Sequence, residues 1–419
     1  MNPFLEKYQR VDERLLNWCE MTPKPYDKYT VDPYTRTRVI LMNGTEFETV
    51  WFSHQFHRNC QDGDIRRALA LIRRSEQQQQ KLVAALKPDD ETMLEHTIGY
   101  EQLAVDLTAH LAKREPDEYV RNALNFALLE DFDHLYRYAD FMEMEDGVHA
   151  EKLVGCYTEI MPGRPTVAHH RYPFESVKRP IDNKCADPQT RLTVGIITAA
   201  EQQTMNYYMN VCATYPNTPG RALYREIGMI EEQHVSHYGS LMDPKATWLE
   251  NLLMHQYTEC YLYWSCYETE TVPHVKRIWE LMLRTEICHL HEALKLLRKI
   301  EKKDYPEVVG EGTFPCPLKL ESNIDHVRAV LAGTVQITAC RESYTPVEKL
   351  ERDADFFRYQ KIVNSDLDHV MSHKVIENHI KCFGQDYRFQ VAEHPIDVLR
   401  DRKEDNIDVG RTPCALTCE

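Results

Sequence analysis

The amino-acid sequence predicts an all-α protein that contains two helical modules. Apolar residues recur with the 3.6-residue period of a helix over long segments between Asp64 and Phe383, and strand-like alternation is nearly absent. Prolines such as Pro116 and Pro273 lie at the ends of these segments, where helices usually start or stop. The length of 419 residues is two to three times that of a usual domain.

The predicted elements follow from these breaks. Residues 1–62 show no helical period, and we expect an irregular N-terminal arm or cap there, with one short strand at 38–42. Two connectors rich in Pro, Gly and Cys lie at 146–190 and 303–322, and 384–419 is predicted to be a C-terminal extension. Helices are predicted over 64–86, 91–114, 117–145, 191–215, 219–242, 245–269, 272–302, 323–343 and 350–383.

Composition excludes several classes of function. With 66 Asp and Glu against 50 Lys and Arg, the net charge of -16 disfavours a nucleic-acid partner, which requires a basic surface. We expect no membrane partner, because no run of 18 apolar residues occurs, and no secretion signal is recognisable at the N-terminus. The 13 irregularly spaced cysteines include no CxxC pair, which favours a reducing, cytoplasmic location and excludes a rubredoxin-type iron site.

Carboxylates and histidines repeat on the apolar helix faces. Glu201 lies on an apolar stripe, and thirty residues later Glu231 and His234 are one helical turn apart. Glu259 lies on the next stripe, followed by the same Glu-x-x-His pattern in its partner helix. The repeated unit is a helix with one inward Glu, then a helix with Glu-x-x-His. The second copy of that motif is Glu286 and His289.

A variant of this unit occurs upstream. Glu101 lies on an apolar stripe, and thirty residues later Asp131 shares the inner face of its helix with His134, which gives Asp-x-x-His. Glu130 is predicted to point elsewhere, because Arg137 is its neighbour seven residues on. A fourth, weaker copy is Gln336 with Asp366 and His369, and Gln77–Gln80 is interpreted as a polar helix face.

Buried carboxylates on facing helices require positive charge. An ionised carboxylate on an apolar face costs several kcal/mol to bury unless it is compensated, and no Lys or Arg repeats at matching positions on these stripes. A pair of divalent cations would compensate them, with one histidine on each ion. A single Glu-x-x-His usually lies on a solvated face, so the repetition carries the prediction. The predicted metal ligands are Glu101, Asp131, His134, Glu201, Glu231, His234, Glu259, Glu286 and His289, with no catalytic residue or organic cofactor beyond them.

Two short segments resemble a known family. EQQTMNYY at 201–208 and YTE at 257–259, followed by Tyr261, are similar to metal-binding helices of rubrerythrin, within the ferritin-like superfamily. The resemblance extends over about 90–300 and implies tandem ferritin-like four-helix bundles, each with two Fe ions or, alternatively, Mn. It further implies peroxide reduction. Because the rubredoxin-type cysteines are missing, a separate electron-donor protein is expected, and a homodimer is possible.

Connection lengths decide which helices could share a bundle. In the ferritin-like arrangement the link between the second and third helices crosses a bundle about 36 Å long, which takes about 11 extended residues. The connector 146–190 is long enough, whereas Asp243-Pro244 is too short. We therefore expect a first bundle at 63–242, crossing at 146–190, and a second, possibly degenerate bundle at 243–383, crossing at 303–322. The alternative joins 191–242 with 245–302 and requires a different topology or exchange of helices between chains.

Three functions remain open from the sequence. The first is a di-iron or di-manganese carboxylate oxidoreductase that reduces peroxide or activates dioxygen. The second is a degenerate, metal-free or partly metallated scaffold with a binding or assembly role, favoured by Gln336 and by Asp in place of Glu at 131. Iron storage is the third and weakest, since a tandem chain would not readily assemble a symmetric cage.

Overall fold

The computed structural model describes residues 1–161, 169–384 and 388, and the regular secondary structure of this part of the chain is helical apart from one short β-hairpin. The predicted all-α class is confirmed. Within the described ranges no helix combines the length and apolar character needed to cross a membrane. The helices are α1 (Pro33–Asn59), α2 (Gly63–Ala84), α3 (Met93–Arg114), α4 (Glu118–Asp146), α5 (Glu151–Val154), α6 (Pro188–Thr214), α7 (Thr218–Gly239), α8 (Trp248–Thr269), α9 (Pro273–Ile300), α10 (Pro306–Val309), α11 (Ile324–Thr334), α12 (Asp355–Val363) and α13 (Met371–Phe383), and the strands are β1 (Ile337–Cys340) and β2 (Ser343–Pro346).

Seven of the predicted helices, from 64–86 to 272–302, are confirmed to within about three residues at each end. Local signals explain this agreement. Thr92 with Glu95, and Thr247 with Glu250, form capping boxes that begin α3 and α8. Pro273 begins α9, where the missing N–H of proline has no helical partner to lose.

The prediction of an irregular arm with a strand at 38–42 is wrong for 33–59, which forms α1. Asp32 caps this helix by accepting a hydrogen bond from the Tyr34 N–H, and Pro33 occupies its first turn. The apolar period is hidden because α1 buries polar side chains on several sides, among them Arg36, Glu46 and Glu48. A helix that buries polar residues lacks the stripe on which the prediction depended.

The last two predicted helices are also wrong in part. Only Ile324–Thr334 of 323–343 is helical, and the β-branched residues that follow enter the antiparallel hairpin of β1 and β2. The segment 350–383 is divided into α12 and α13 by a stretch in which only the short 3₁₀ helix Leu367–His369 is regular. The expected C-terminal extension lies outside the described residues, apart from residues 384 and 388.

The chain divides into two compact units that differ from the predicted domains. The first unit consists of 1–91, 181–203 and 242–320, and the second of 92–180, 204–241 and 321–419. The division falls within α6, between Gln203 and Thr204. Within the first unit α1 packs on α2, α8 packs on α9, and the two pairs meet through α1 with α8 and α2 with α9.

Within the second unit α3 packs on α4, and α4 also contacts α7, α11 and α13. The expectation that 323–383 would complete a bundle with α8 and α9 is therefore not met. The helices α11 and α13 pack on α4 instead, and the bundle with α8 and α9 is completed by α1 and α2. The alternative pairing of 191–242 with 245–302 is not met either, since α7 and α8 belong to different units.

Candidate metal centres

The four long helices of the first unit each place a carboxylate in its interior. Glu46 lies on α1, Glu76 on α2 and Glu259 on α8, while α9 contributes Glu286 and, one turn later, His289. All five side chains are fully buried. These residues are called the first cluster below.

The first cluster contains two overlapping groups of potential ligand atoms. In one group Glu76, Glu286 and His289 offer atoms within 4.8 Å of one another, and in the other Glu46, Glu76 and Glu259 do so. Nδ1 of His289 lies 3.1 Å from Oε1 of Glu76 and 3.2 Å from Oε1 of Glu286. Because Glu76 belongs to both groups, the arrangement suits two adjacent cations that share one carboxylate.

Neutral donors surround the first cluster. Nε2 of Gln79 donates to Glu286 at 2.7 Å and to Glu46 at 3.2 Å. Nε2 of Gln256 donates to Glu76 at 3.0 Å and to Glu259 at 3.1 Å. The hydroxyls of Thr49 and Tyr263 donate to Glu259 and Glu46. These bonds fix the carboxylate orientations, but they add no positive charge.

The first cluster has more carboxylates than positive charges to compensate them. Among the described residues no Lys or Arg forms an ion pair with its four carboxylates, and His289 is the one basic side chain that does. Burial, together with neighbouring carboxylates, holds the pKa values of Glu46 and Glu259 well above their ordinary range. Burial by itself would lower the pKa of His289, but Glu76 and Glu286 raise it to about 10. Bound divalent cations would replace the protons that such a cluster otherwise retains.

Three members of the first cluster, Glu259, Glu286 and His289, were predicted from the sequence, and two were missed. Glu76 was missed because Gln79 occupies the position where the motif has His, and its segment was interpreted as a polar face; Gln79 is instead buried. Glu46 was missed with α1. A signal was present, since Glu46 precedes Glu76 by the same thirty residues that separate Glu101 from Asp131.

The weak fourth copy of the motif is wrong. Gln336 is exposed in the turn that follows α11. Asp366 and His369 pair with each other at 2.7 Å, and their side chains are 60% and 83% exposed. Solvent can therefore satisfy both groups without a metal ion.

The second unit contains its own buried group, called the second cluster. It consists of Glu101 on α3, Asp131 and His134 on α4, and Glu231 and His234 on α7, all predicted from the sequence and all buried.

Short distances connect the members of the second cluster. Nδ1 of His134 lies 2.9 Å from Oε1 of Glu231. Nδ1 of His234 lies 3.2 Å from Oδ1 of Asp131 and 3.3 Å from Oε2 of Glu231. Glu101, His134 and Glu231 offer ligand atoms within 4.8 Å of one another, as do Asp131, Glu231 and His234. Two overlapping groups again share one carboxylate, that of Glu231.

The second cluster has supporting residues that sequence reasoning missed. Glu130, predicted to point elsewhere, is buried, and its Oε2 lies 2.7 Å from Nε2 of His234. Its Oε1 lies 2.5 Å from Nη1 of Arg171, a residue in the connector that had no sequence signal. The hydroxyl of Tyr208 donates to Glu101. Burial by itself would raise the pKa of Glu231, but His134 and His234 lower it to about 2.

The ninth predicted ligand, Glu201, is buried on α6 within the first unit's part of that helix, which ends at Gln203. It stays a predicted ligand.

Comparisons of the chain with known protein families, with characterised proteins and with solved structures found no match. The chemistry of the two clusters is therefore what indicates the function of this protein. Carboxylate oxygens with one or two imidazole nitrogens are ligands for a divalent cation.

Proposed function

We propose that the protein is a di-metal carboxylate oxidoreductase in which each unit is a ferritin-like four-helix bundle with a pair of iron or manganese ions. One observation carries this proposal. In both units one helix contributes a single buried carboxylate, and the next helix contributes a second carboxylate followed one turn later by a side chain that carries nitrogen. The second helix therefore has the spacing Glu-x-x-His, Asp-x-x-His or Glu-x-x-Gln. This is the ligand spacing of ferritin-like di-metal proteins.

The residues present fit a pair of cations. Oε2 of Glu46 and Oε2 of Glu76 are buried and accept no hydrogen bond from any described residue. Leaving a buried carboxylate oxygen without a partner costs on the order of 1–3 kcal/mol or more. Metal coordination would satisfy both oxygens and would bring four repelling carboxylates under a common positive charge.

Bound iron or manganese would supply the electron transfer that reduces peroxide or activates dioxygen. The chain's own residues would hold and orient these ions. Glu76 and Glu231 each belong to two groups of ligand atoms, so each would bridge its pair. Tyr208 would fix Glu101 through its hydrogen bond. Electrons would come from a separate donor protein, since the chain contains no CxxC pair for an iron–sulfur or rubredoxin-type site.

Metal content tests the proposal. After expression with iron and manganese supplied, we expect the full chain to contain about four ions, two for each unit. The double variant Glu231→Ala, His234→Ala should lose the ions of the second unit, and Glu286→Ala, His289→Ala those of the first. Glu118→Gln, an exposed acid on α4, is the matched control and should retain all four. A folded wild-type chain without metal under these conditions would refute the proposal.

The oxidant is tested separately. The anaerobic ferrous protein is mixed with hydrogen peroxide or with dioxygen, and oxidation is followed by stopped-flow absorbance. Oxidation by either reagent that decreases in each double variant and disappears when the two are combined supports an oxidoreductase. Bound metal that neither reagent oxidises would contradict the enzymatic part of the proposal while leaving metal binding intact.

One observation favours a second function for the first unit. Gln79 donates hydrogen bonds to Glu46 and Glu286, so this amide stabilises the first cluster where a second histidine would bind metal. A first unit stabilised in this way would serve, without metal of its own, as a scaffold for binding or assembly in a partly metallated chain. Metal analysis separates the two functions, because a scaffold of this kind retains ions only in the second unit.

A further inference from the structure

A cavity separate from the metal centres lies in the first unit, between the N-terminal segment 1–14 and the helices α8 and α9. Its volume is about 830 Å³, toward the upper end of the range of small-molecule sites. On α9 the residues Ile287 and Cys288 line the cavity, whereas Glu286 and His289 of the same helix belong to the first cluster. The two sites therefore lie on different faces of α9.

The N-terminal segment is fixed near both of its ends, so this wall of the cavity is already formed. Near its start Phe4 stacks on Tyr305, with the ring centroids 4.1 Å apart. Near its end Nη2 of Arg14 donates to the carbonyl oxygen of Leu281 on α9 at 3.2 Å. A wall held in this way does not have to be ordered when a ligand enters, which lowers the entropic cost of binding.

Three aromatic side chains are among the described residues that line the cavity, and they are Tyr8, Trp264 and Tyr267. Tyr8 stacks on His291, with the ring centroids 3.9 Å apart, and yet it remains 60% exposed. Trp264 stacks on Phe314 with its centroid 5.4 Å away. Rings held by such neighbours are rigid surfaces, on which a planar aromatic molecule can stack.

Apolar side chains supply a further part of the wall. Leu283 and Ile287 on α9 line the cavity, and so does Leu5 of the N-terminal segment, which is 77% exposed. A molecule that filled the cavity would remove Leu5 and Tyr8 from water together. Burial of this surface favours a ligand whose own surface is largely apolar.

The charged side chains that line the cavity balance one another. Among the described lining residues three are acids and three are bases, namely Glu6, Glu268 and Glu280, and Lys7, Arg14 and Arg284. Nη2 of Arg284 lies 2.6 Å from Oε1 of Glu280. Because neither sign is in excess, the side chains favour neither a cation nor an anion. A neutral ligand with polar edges could still form hydrogen bonds to them.

Rigid aromatic surfaces, an apolar wall and balanced charge together define one class of ligand. We propose that this cavity binds a neutral molecule with a planar, fused heteroaromatic ring system, of which the ring of riboflavin is an example. The ring stacks on Trp264 and Tyr8, and its apolar edge contacts Leu5 and Leu283. The volume of about 830 Å³ leaves room for fused rings rather than a single one.

The probe that tests this proposal is riboflavin, titrated with the full chain and followed by its fluorescence, which stacking on Trp or Tyr quenches. We expect saturable quenching in the wild type. Trp264→Leu and Tyr8→Leu keep an apolar side chain but remove a ring, so each should weaken binding about tenfold or more. Trp18→Leu removes an 85% exposed ring that is not among the described lining residues, and this matched control should bind like the wild type.

Further probes test the expected neutrality and planarity of the ligand. Glu268→Gln removes one lining charge and should change the affinity for riboflavin by less than about threefold. Flavin mononucleotide, which adds an anionic phosphate, should bind no more than about threefold more tightly than riboflavin. Ribitol, which has the polar chain without the ring, should not displace riboflavin. Circular dichroism should show an unchanged helical content in every variant, and Tyr8→Leu keeps the test decisive because that side chain is largely exposed.

Several outcomes would overturn the proposal. These are the absence of saturable riboflavin binding, an affinity of Trp264→Leu and Tyr8→Leu equal to that of Trp18→Leu, and displacement of riboflavin by ribitol. A tenfold preference for flavin mononucleotide would overturn the neutral class of ligand. The titration requires no bound metal, so it succeeds or fails independently of the proposed oxidoreductase function.

Discussion

In the second unit Nε2 of His234 lies 2.7 Å from Oε2 of Glu130, and the other oxygen of that carboxylate lies 2.5 Å from Arg171. Burial by itself would raise the pKa of Glu130, but Arg171 and His234 lower it, so the carboxylate is charged. The chain of contacts turns Nδ1 of His234 toward Asp131 and Glu231. A carboxylate behind a histidine in this way fixes the ring and strengthens it as a metal ligand.

This relationship predicts the effect of Glu130→Gln. The amide keeps the size of the side chain but removes its charge, so we expect metal affinity at the second cluster to fall by about 10–100-fold. The measurement is competition with a chelator for Mn²⁺ in a background with Glu286→Ala and His289→Ala, which isolates the second unit. Glu118→Gln on the same helix is the control, and equal affinities in the two variants would show that Glu130 does not support the site.

The first cluster predicts a gain of function. Gln79 lies one turn after Glu76, as His289 lies one turn after Glu286, so Gln79→His would complete a second Glu-x-x-His motif. We expect this variant to bind metal at the first unit at least about tenfold more tightly, because imidazole is a better ligand for divalent iron or manganese than an amide. Gln80→His, one position along the helix, should have no effect. A similar gain in both variants would indicate nonspecific binding by the added histidine.

Two helix-interior glycines predict opposite effects of the same substitution. A Cβ at Gly44 on α1 would approach Cβ of Gln203 to 2.9 Å, whereas one at Gly195 has ordinary room. We expect Gly44→Ala to destabilise the fold by about 1–2 kcal/mol, because the clash outweighs helix propensity. Gly195→Ala should stabilise it by up to about 1 kcal/mol. Urea unfolding of both variants measures the signs, and equal signs would contradict the packing argument.

The pH dependence of stability is predicted at His110 on α3. Burial, with Arg114 and Lys113 adding to it and Glu321 opposing it, lowers the pKa of His110 to about 4, against about 6.5 in the unfolded chain. At pH values between these two pKa values, His110 is therefore protonated more in the unfolded state than in the folded state. The stability that neutral His110 contributes is complete above pH 6.5 and is lost as the pH falls toward 4, a change of about 3 kcal/mol.

The test compares urea unfolding of the wild type with that of His110→Gln at pH 7 and pH 4. We expect the stability of the wild type relative to the variant to decrease by about 3 kcal/mol at the lower pH. His369→Gln, which changes an exposed histidine, controls for general acid effects. A constant difference between wild type and His110→Gln would contradict the prediction.

Local sequence patterns predicted the helices that bury an apolar stripe, but they failed for helices that bury polar side chains. The capping residues Thr92 and Thr247 and the proline at 273 act within one turn of the chain, so α3, α8 and α9 could be located without tertiary information. The helix α1 could not, because its buried Glu46 and Arg36 interact with residues distant in sequence. Gln79 was misinterpreted for the same reason, since its partners Glu46 and Glu286 lie on other helices.

The sequence by itself determined the all-α class, seven long helices and the inward faces that carry Asp131, His134, Glu231, His234, Glu286 and His289, because helical period and motif spacing are properties of consecutive residues. Only the tertiary structure decided that α1 and α2 pack with α8 and α9, and that Glu130 and Arg171 lie behind His234. The packing of these helices and side chains depends on contacts between segments that are far apart in the sequence, such as the hydrogen bond between Gln79 and Glu286. Such contacts leave no periodic trace in either segment alone.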